Sequence, residues 1–480
     1  MPLRINEQIP AGTRLKTVAG EDIKVLELIS AEGGQGDVYK VSWKGGNYAL
    51  KWYNRDGTYQ QCTKDTQKWG CPKNVDQQAN LDVVGSAQYD TICNLVRTPN
   101  PDPLSFKLPL VVVTEKGAVS KEDEKRKEML FGYMMELLPD DHFEMKDFLR
   151  SSDDPRQKTF ASFHAMIWAG MNIVAAIRTL HLKGMSYKDL KPDNIAINPE
   201  TGHVWMIDCD NISVDGKSCT VNGTRGYMAP EIVRSGFRLA PNIQSDQFSL
   251  AIVLFRLFYM DHPMEGKLWK KFPLITEDVE DELYCIHPIY NMNPQDKRNR
   301  PDKTYAPNVE RRMAILPDVL REGFERTFIN GIYNIHGRTP ENSWLHILAK
   351  ARDQLVFLDP ACKDDRVVRF NVKEKIPAGC LRMTIGKGGH ELALYPMQSI
   401  FKDIISGDVG EYNIRIGRAG ISKGTIIIQN LSGHPWEVYD PVAKKIGTVA
   451  DNRWFRVLPG TQIQFDAVRK VIGKVDDPCR

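Results

Sequence analysis

The run Tyr187-Lys188-Asp189-Leu190-Lys191-Pro192-Asp193-Asn194 sets a carboxylate, an ammonium and an amide within six positions, Asp189 to Asn194. Asp189 can accept the proton of an attacking hydroxyl, Lys191 can neutralise a phosphoryl group in motion, and Asn194 offers the hard oxygen that Mg2+ takes. Two apolar stretches follow, Ile195 to Ile197 and Val204 to Ile207, and then comes Asp208, placed to be a second Mg2+ ligand. A charged turn between strands would account for any one of these residues, but not for four compatible roles at these intervals. Upstream, Ala49-Leu50-Lys51 reads as a strand ending in lysine, a point charge suited to nucleotide phosphates. Before it lies Glu32-Gly33-Gly34-Gln35-Gly36-Asp37-Val38, a loop whose backbone N–H groups can lie over phosphates because glycine leaves no side chain in the way. A plain hairpin would need the same glycines. Together these residues imply phosphoryl transfer from a Mg2+-bound nucleotide.

The elements that must position these groups follow from periodicity. Residues 23–52 read as strand, glycine loop, strand, turn at Gly45-Gly46-Asn47, and strand. Residues 54–71 read as loop, and 74–84 as a short helix closed by Gly85. Val111 to Val113 and Phe131 to Leu138 are two more strands around a charged hairpin at 116–128, giving a five-stranded N-terminal piece. Apolar residues at spacings of three and four (Phe163, Ile167, Met171, Val174, Ile177) predict a long amphipathic helix over 160–182, just ahead of Asp189. Helical patterns return at 247–258, 320–328 and 343–355, and 266–317 reads as a polar, Pro-containing insertion. Beyond Asp359 short strands alternate with turns, which predicts an all-β sandwich or barrel. Ile9-Pro10-Ala11-Gly12 and Ile376-Pro377-Ala378-Gly379 echo each other, as chance or a shared turn would produce.

The chain resembles a eukaryotic-type protein kinase across about 23–355. The resemblance rests on Gly33, Gly36 and Val38, Lys51, the Asp189–Asn194 loop, Asp208, the run Gly223-Thr224-Arg225-Gly226-Tyr227-Met228-Ala229-Pro230-Glu231, Ser245-Asp246 and Arg338. It implies a bilobal α+β kinase fold, with an N-lobe to residue 138, a C-lobe over 139–358 and an additional all-β domain over 359–480. It also implies ATP as phosphoryl donor, Mg2+ held by Asn194 and Asp208, and catalysis by Asp189, Lys191 and Lys51. ATP would meet Gly33, Gly34, Gln35, Gly36, Val38, Ala49 and Lys51, with Met135 as gatekeeper and the Glu136–Leu138 backbone at adenine. Glu231 would pair with Arg338, Asp246 would anchor the catalytic loop, and Thr224 implies Ser or Thr acceptors on a protein substrate. Leu50-Lys51-Trp52-Tyr53-Asn54, Asp208-Cys209-Asp210-Asn211, the run 262–267 and Asn299-Arg300-Pro301 are similar to bacterial kinases of tellurium-resistance-type modules. That likeness implies a von Willebrand A-type protein and a metal-dependent phosphatase as partners.

Three positions depart from the kinase pattern. No Glu occurs between Glu32 and Glu115 to pair with Lys51, so Asp76, Asp82, Gln77 and Gln78 are the candidate replacements. Asp210 stands where glycine is usual; it could bring a carboxylate near Mg2+, and a solvated position is the expectation. Lys188 occupies an arginine position that grips activation-loop phosphate bidentately in some kinases, which lysine cannot do. Activity is therefore expected to depend little on phosphorylation of Ser213, Ser218 or Thr220. A pseudokinase scaffold is the alternative reading, and a small-molecule kinase ranks behind it, because that class generally lacks the Ala229-Pro230-Glu231 segment.

Of 480 residues, 42% are hydrophobic and 26% charged, with 64 basic and 61 acidic side chains leaving a formal charge of +3. Such balance does not suggest attraction to nucleic acid or an anionic membrane. The 248–260 stretch is too short to span a bilayer, and the first eight residues have no signal-peptide core. Nine cysteines without a Cys-x-x-Cys pair suit reduced thiols in a cytoplasmic protein. In the C-terminal region, Gly417-Arg418 and Ser432-Gly433-His434 are similar to forkhead-associated domains, but the serine-to-histidine spacing is short by one. A structural or docking module is the expectation there.

Overall fold

The computed structural model describes residues 8–31, 36–53, 88–117, 130–217, 223–359, 364–370, 372 and 376–479. The candidate helix at 74–84 with Asp76, Gln77, Gln78 and Asp82, most of the 116–128 hairpin, Gly33, Gly34, Gln35, Ser218 and Thr220 lie outside these residues.

The N-terminal strands form a closed barrel of six rather than a five-stranded piece. β1 (Arg14–Thr17), β2 (Asp22–Ser30), β3 (Gly36–Trp43), β4 (Gly46–Tyr53), β5 (Val111–Thr114) and β6 (Phe131–Glu136) follow the spatial order β1-β2-β3-β4-β6-β5. The unexpected strand is β1, whose Leu15 and Thr17 point inward while Arg14 and Lys16 face out. It closes the barrel by pairing Lys16 with Thr114 and Thr17 with Val113, which leaves no open edge. Only one of its four side chains is strongly apolar, so alternation alone did not reveal it. Gly132 in β6 is required by close approach, because a Cβ there would lie 2.2 Å from the Lys51 carbonyl oxygen. The strand that carries Lys51 is thus held against β6 at contact distance.

Below the barrel, α1 (Phe163–Leu182), α2 (Ile243–Tyr259) and α3 (Glu341–Asp353) build a mostly helical lobe. Ser162 caps α1 by accepting from Ala165 N at 3.0 Å, and Asp365 takes the next free amides, Phe163 N at 2.9 Å and His164 N at 2.5 Å. α1 is long and apolar enough to cross a membrane by length and composition. Its apolar face (Ile167, Met171, Ile173, Val174, Ile177, Leu180) is instead buried in the lobe's core. The segment 266–317 is less peripheral than its polarity suggests, since Cys285, Tyr290, Ala306 and Val309 all enter that core. These anchors are scattered singly among charges and prolines, so no period betrays them.

The last described residues form two facing antiparallel sheets. One runs, in spatial order, His390–Leu394, Leu381–Ile385, Val471–Asp476, Gln462–Asp466, Trp436–Asp440 and Lys445–Val449; the other runs Ser399–Phe401, Arg415–Ser422, Thr425–Asn430 and Trp454–Arg456. Trp436, Met383, Ile428, Val457 and Ile463 fill the space between them. The chain enters this sandwich through a hairpin of Leu355–Phe357 on Asp365–Val367. Across the joint, Arg352 at the end of α3 reaches Asp353 Oδ1 at 2.8 Å, the Tyr412 carbonyl at 2.7 Å and Asp403 Oδ1 at 3.4 Å. His390 contacts Asp353 Oδ2 at 2.7 Å, and Tyr412 donates to Asn172 of α1 at 2.9 Å. The two Ile-Pro-Ala-Gly runs make the same turn, with Thr13 N on Pro10 O and Cys380 N on Pro377 O and Gly12 and Gly379 at φ of 89° and 80°. Their likeness is one of local turn chemistry.

Candidate active site

Four elements converge below the barrel. Asp189, Lys191 and Asn194 lie on the loop after α1, Thr224 follows Gly223 at φ 104°, Asp208 ends the strand Val204–Met206 and its exit, and Lys51 descends from β4. Thr224 Oγ1 donates to Asp189 Oδ1 at 2.7 Å. Lys191 Nζ lies 3.0 Å from both Asp189 Oδ2 and Thr224 Oγ1. Asn194 turns its amide nitrogen to the Asp189 carbonyl at 2.8 Å, so its side-chain oxygen faces the other way. Asn194 and Asp208 are set side by side, because Ile207 N donates to the Asn194 carbonyl at 2.9 Å. Tyr187 OH adds a second tie to Ile207 O at 2.5 Å.

This loop hangs from α2. Asp246 Oδ2 accepts from Tyr187 N at 2.5 Å and Oδ1 from Lys188 N at 2.9 Å, which holds Lys188 in its left-handed conformation, φ 73°. His181 stands behind, between Asp246 Oδ2 at 3.1 Å and Glu341 Oε1 at 2.8 Å. Burial opposes its charge, but hydrogen bonds to the two carboxylates prevail and raise its pKa to about 9. Glu231 and Arg338 form a bidentate pair at 2.8 and 2.6 Å. Lys188, in the arginine position, directs its Nζ to Ser213 Oγ at 2.5 Å and to the Lys217 carbonyl at 2.6 Å.

Lys51 presents the largest difference from expectation. Its Nζ bonds to Asp208 Oδ1 and, at 2.8 Å, to Asp210 Oδ2. Asp210 is not solvated; its side chain is 0% exposed, and Tyr53 OH donates to the same oxygen at 2.6 Å. Gln88 Nε2 in turn donates to Tyr53 OH at 3.0 Å. Burial first, then the Asp208 carboxylate, push the Asp210 carboxyl above its usual range, against the pull of Lys51. The warning signs in the chain were an Asp in place of glycine, a Tyr two residues after the lysine, and no Glu to hold it.

Of the remaining ATP-contact candidates, Gly36 and Val38 lie in β3, Ala49 pairs with Met135, and Val38 pairs with Lys51. Met135 and Leu138 are half-buried and Glu136 is exposed, its carboxylate held by Lys107 Nζ at 2.6 Å. That ammonium also sits 3.5 Å over the Trp205 ring. Asn194 and Asp208 offer an amide oxygen and a carboxylate one-third exposed, hard oxygen donors of the kind Mg2+ accepts, so these residues fit that ion.

The segments 262–267 and 299–301 form one knot under the Gly223–Glu231 run. His262 Nε2 donates to the Gly226 carbonyl at 2.6 Å and Nδ1 accepts from Met264 N at 3.1 Å; burial lowers its pKa to about 3, consistent with that neutral tautomer. Asn299 Nδ2 ties Met264 O at 2.8 Å to Ile289 O at 2.7 Å. A Cβ on Gly266 would lie 2.3 Å from the Asn299 carbonyl oxygen.

Residues 112–314 match the family described as a protein kinase domain. The chain is 31% identical over 129 residues to protein kinase C delta type of Mus musculus, covering 26% of this chain and 17% of that protein. It is 28% identical over 153 residues to serine/threonine-protein kinase nrc-2 of Neurospora crassa, covering 25% and 24%. A solved structure, the Cydia pomonella granulovirus kinase PK-1, aligns at 14% identity and a TM-score of 0.42, covering 67% of this chain and 92% of that one. Residues 112–314 thus resemble a protein kinase domain, serine/threonine kinases are among the chain's relatives, and the chain spans less than a quarter of the length of the two curated relatives above.

Proposed function

We propose that this chain is an ATP-dependent protein kinase that transfers phosphate to Ser or Thr hydroxyls of a protein substrate. The observation that carries the reading is the closed triangle of Asp189, Lys191 and Thr224, with every side 3.0 Å or less. Asp189 Oδ2 is aimed to take the proton of an acceptor hydroxyl, while Thr224 fixes the other oxygen and so the direction of attack. Lys191 lies close enough to both to neutralise charge that gathers on the moving phosphoryl group. Lys51 holds the donor phosphates, and the Ala49–Met135 pair lines the wall where the base would lie. Asn194 and Asp208 would hold Mg2+, which would supply charge neutralisation at the triphosphate.

The scaffold alternative drew on the missing helix glutamate, and Lys51 has a buried carboxylate partner without it. We extend the proposal to a bacterial phosphorylation module with a von Willebrand A-type protein and a metal-dependent phosphatase as partners, and to a forkhead-associated-like sandwich. Of the motifs that suggested the module, 262–267 and 299–301 tie to the Gly223–Glu231 run, and the other two supply Lys51, Tyr53, Asp208 and Asp210. The test is transfer of labelled phosphate from ATP to a generic protein acceptor in Mg2+ buffer, by the full chain beside Asp189→Ala, followed by phosphoamino-acid analysis. Label on Ser or Thr that vanishes in the variant is expected; ATP binding without transfer in either protein would refute the proposal.

A further inference from the structure

We propose that Asp210 is the positioning residue that replaces the missing helix glutamate as the counter-ion of Lys51; this rests on the kinase reading above. The short turn Cys209–Asn211 follows Asp208 in the left-handed conformation, φ 54°, and that reversal brings the second residue on back up against β4. Asp210 Oδ2 there receives two donors, Lys51 Nζ at 2.8 Å and Tyr53 OH at 2.6 Å. Its Oδ1 is buried with no hydrogen-bond partner. A carboxylate this deep is stable only beside a cation, and Lys51 is the cation bonded to it. Lysine, tyrosine and aspartate are therefore one unit, and Phe131 and Tyr133 pack on the Tyr53 ring at 5.0 and 6.1 Å between centroids.

The device differs in kind from a partner on a helix. Asp210 shares its segment with Asp208, so the phosphate-holding ammonium and the metal-binding carboxylate are registered by three consecutive residues. From the helix over 88–97, Gln88 reaches the Tyr53 phenol at 3.0 Å. The position of Lys51 then follows the 208–210 turn and the Lys51-Trp52-Tyr53 strand end.

The test measures dissociation constants of a fluorescent ATP analogue for the full chain, with Mg2+ and with EDTA, in Asp210→Asn, Lys51→Met, the double variant and Tyr53→Phe. Removing a negative charge near a triphosphate predicts tighter binding on electrostatic grounds alone, so lost positioning has the opposite sign. Asp210→Asn is expected to loosen binding about tenfold in both buffers, the order of one charge-assisted hydrogen bond, and to add nothing on top of Lys51→Met. Tyr53→Phe leaves the carboxylate in place, shifts affinity the same way by less, and carries the test should Asp210→Asn fail to fold. Unchanged or tighter binding in both variants, loosening confined to Mg2+, or full additivity with Lys51→Met would overturn the assignment. Phosphate transfer by the parent is read alongside. A parent that binds ATP without transferring it refutes the proposed function yet leaves the coupling measurable, and a parent that binds no ATP overturns both.

Discussion

His181 couples the stability of the catalytic loop to pH. Its imidazolium donates to Asp246 and Glu341, and its pKa is raised from 6.5 to about 9. A group whose folded pKa exceeds its unfolded value stabilises the fold fully below the unfolded pKa and loses that contribution as pH climbs through the folded one. The window is therefore 6.5 to about 9, and the free energy at stake is on the order of 3 kcal/mol. The perturbation is His181→Gln, which keeps one donor and abolishes the charge. Urea midpoints for parent and variant, taken below 6.5 and again above 9, isolate this group from others that titrate in the same range. A gap that is wide at low pH and nearly closed at high pH is expected. A gap of equal size at both ends would show that the imidazole is neutral in the fold, and the account would be wrong.

Replacing Arg352 with Met leaves Asp353 and Asp403 buried without their cation, which costs about 3–5 kcal/mol; calorimetry should show the sandwich and the helical lobe melting as separate transitions. Thr224→Val removes the donor that fixes Asp189. A hydrogen bond to a charged group is worth about 1.5–3 kcal/mol, so turnover should fall at least tenfold with an unchanged melting temperature. The triple variant Ser213→Ala, Ser218→Ala, Thr220→Ala should keep the parent's turnover, because Lys188 retains the Lys217 carbonyl at 2.6 Å without any phosphate; a collapse in rate would show that loop phosphate is needed.

The parts of the site legible in the chain were those written contiguously. Asp189 to Asn194 carry their spacing with them, and Asp208 follows at the end of an apolar strand, so little tertiary knowledge was needed. Asp210 was misjudged because burial is a property of the fold: its carboxylate, two residues past Asp208, reads as solvated until β4 is laid across it. β1 was missed for a related reason, since a strand with one strongly apolar residue is specified by the edges it joins rather than by its own pattern. In 266–317 the anchoring side chains Cys285, Tyr290, Ala306 and Val309 are too sparse for periodicity to register.

The joint around Arg352 has a mechanical consequence. With α3, the loop at Tyr412, Asp403 and His390 knotted together, and Asp365 clamped on the first turn of α1, the sandwich is fastened to the helical lobe at several points among the described residues. A movement that opens the cleft would then carry the barrel away from the helical lobe and the sandwich together. A macromolecule resting on the sandwich would thus stay at one distance and one bearing from Asp189 throughout a catalytic cycle, like work held in a vice beneath a moving tool.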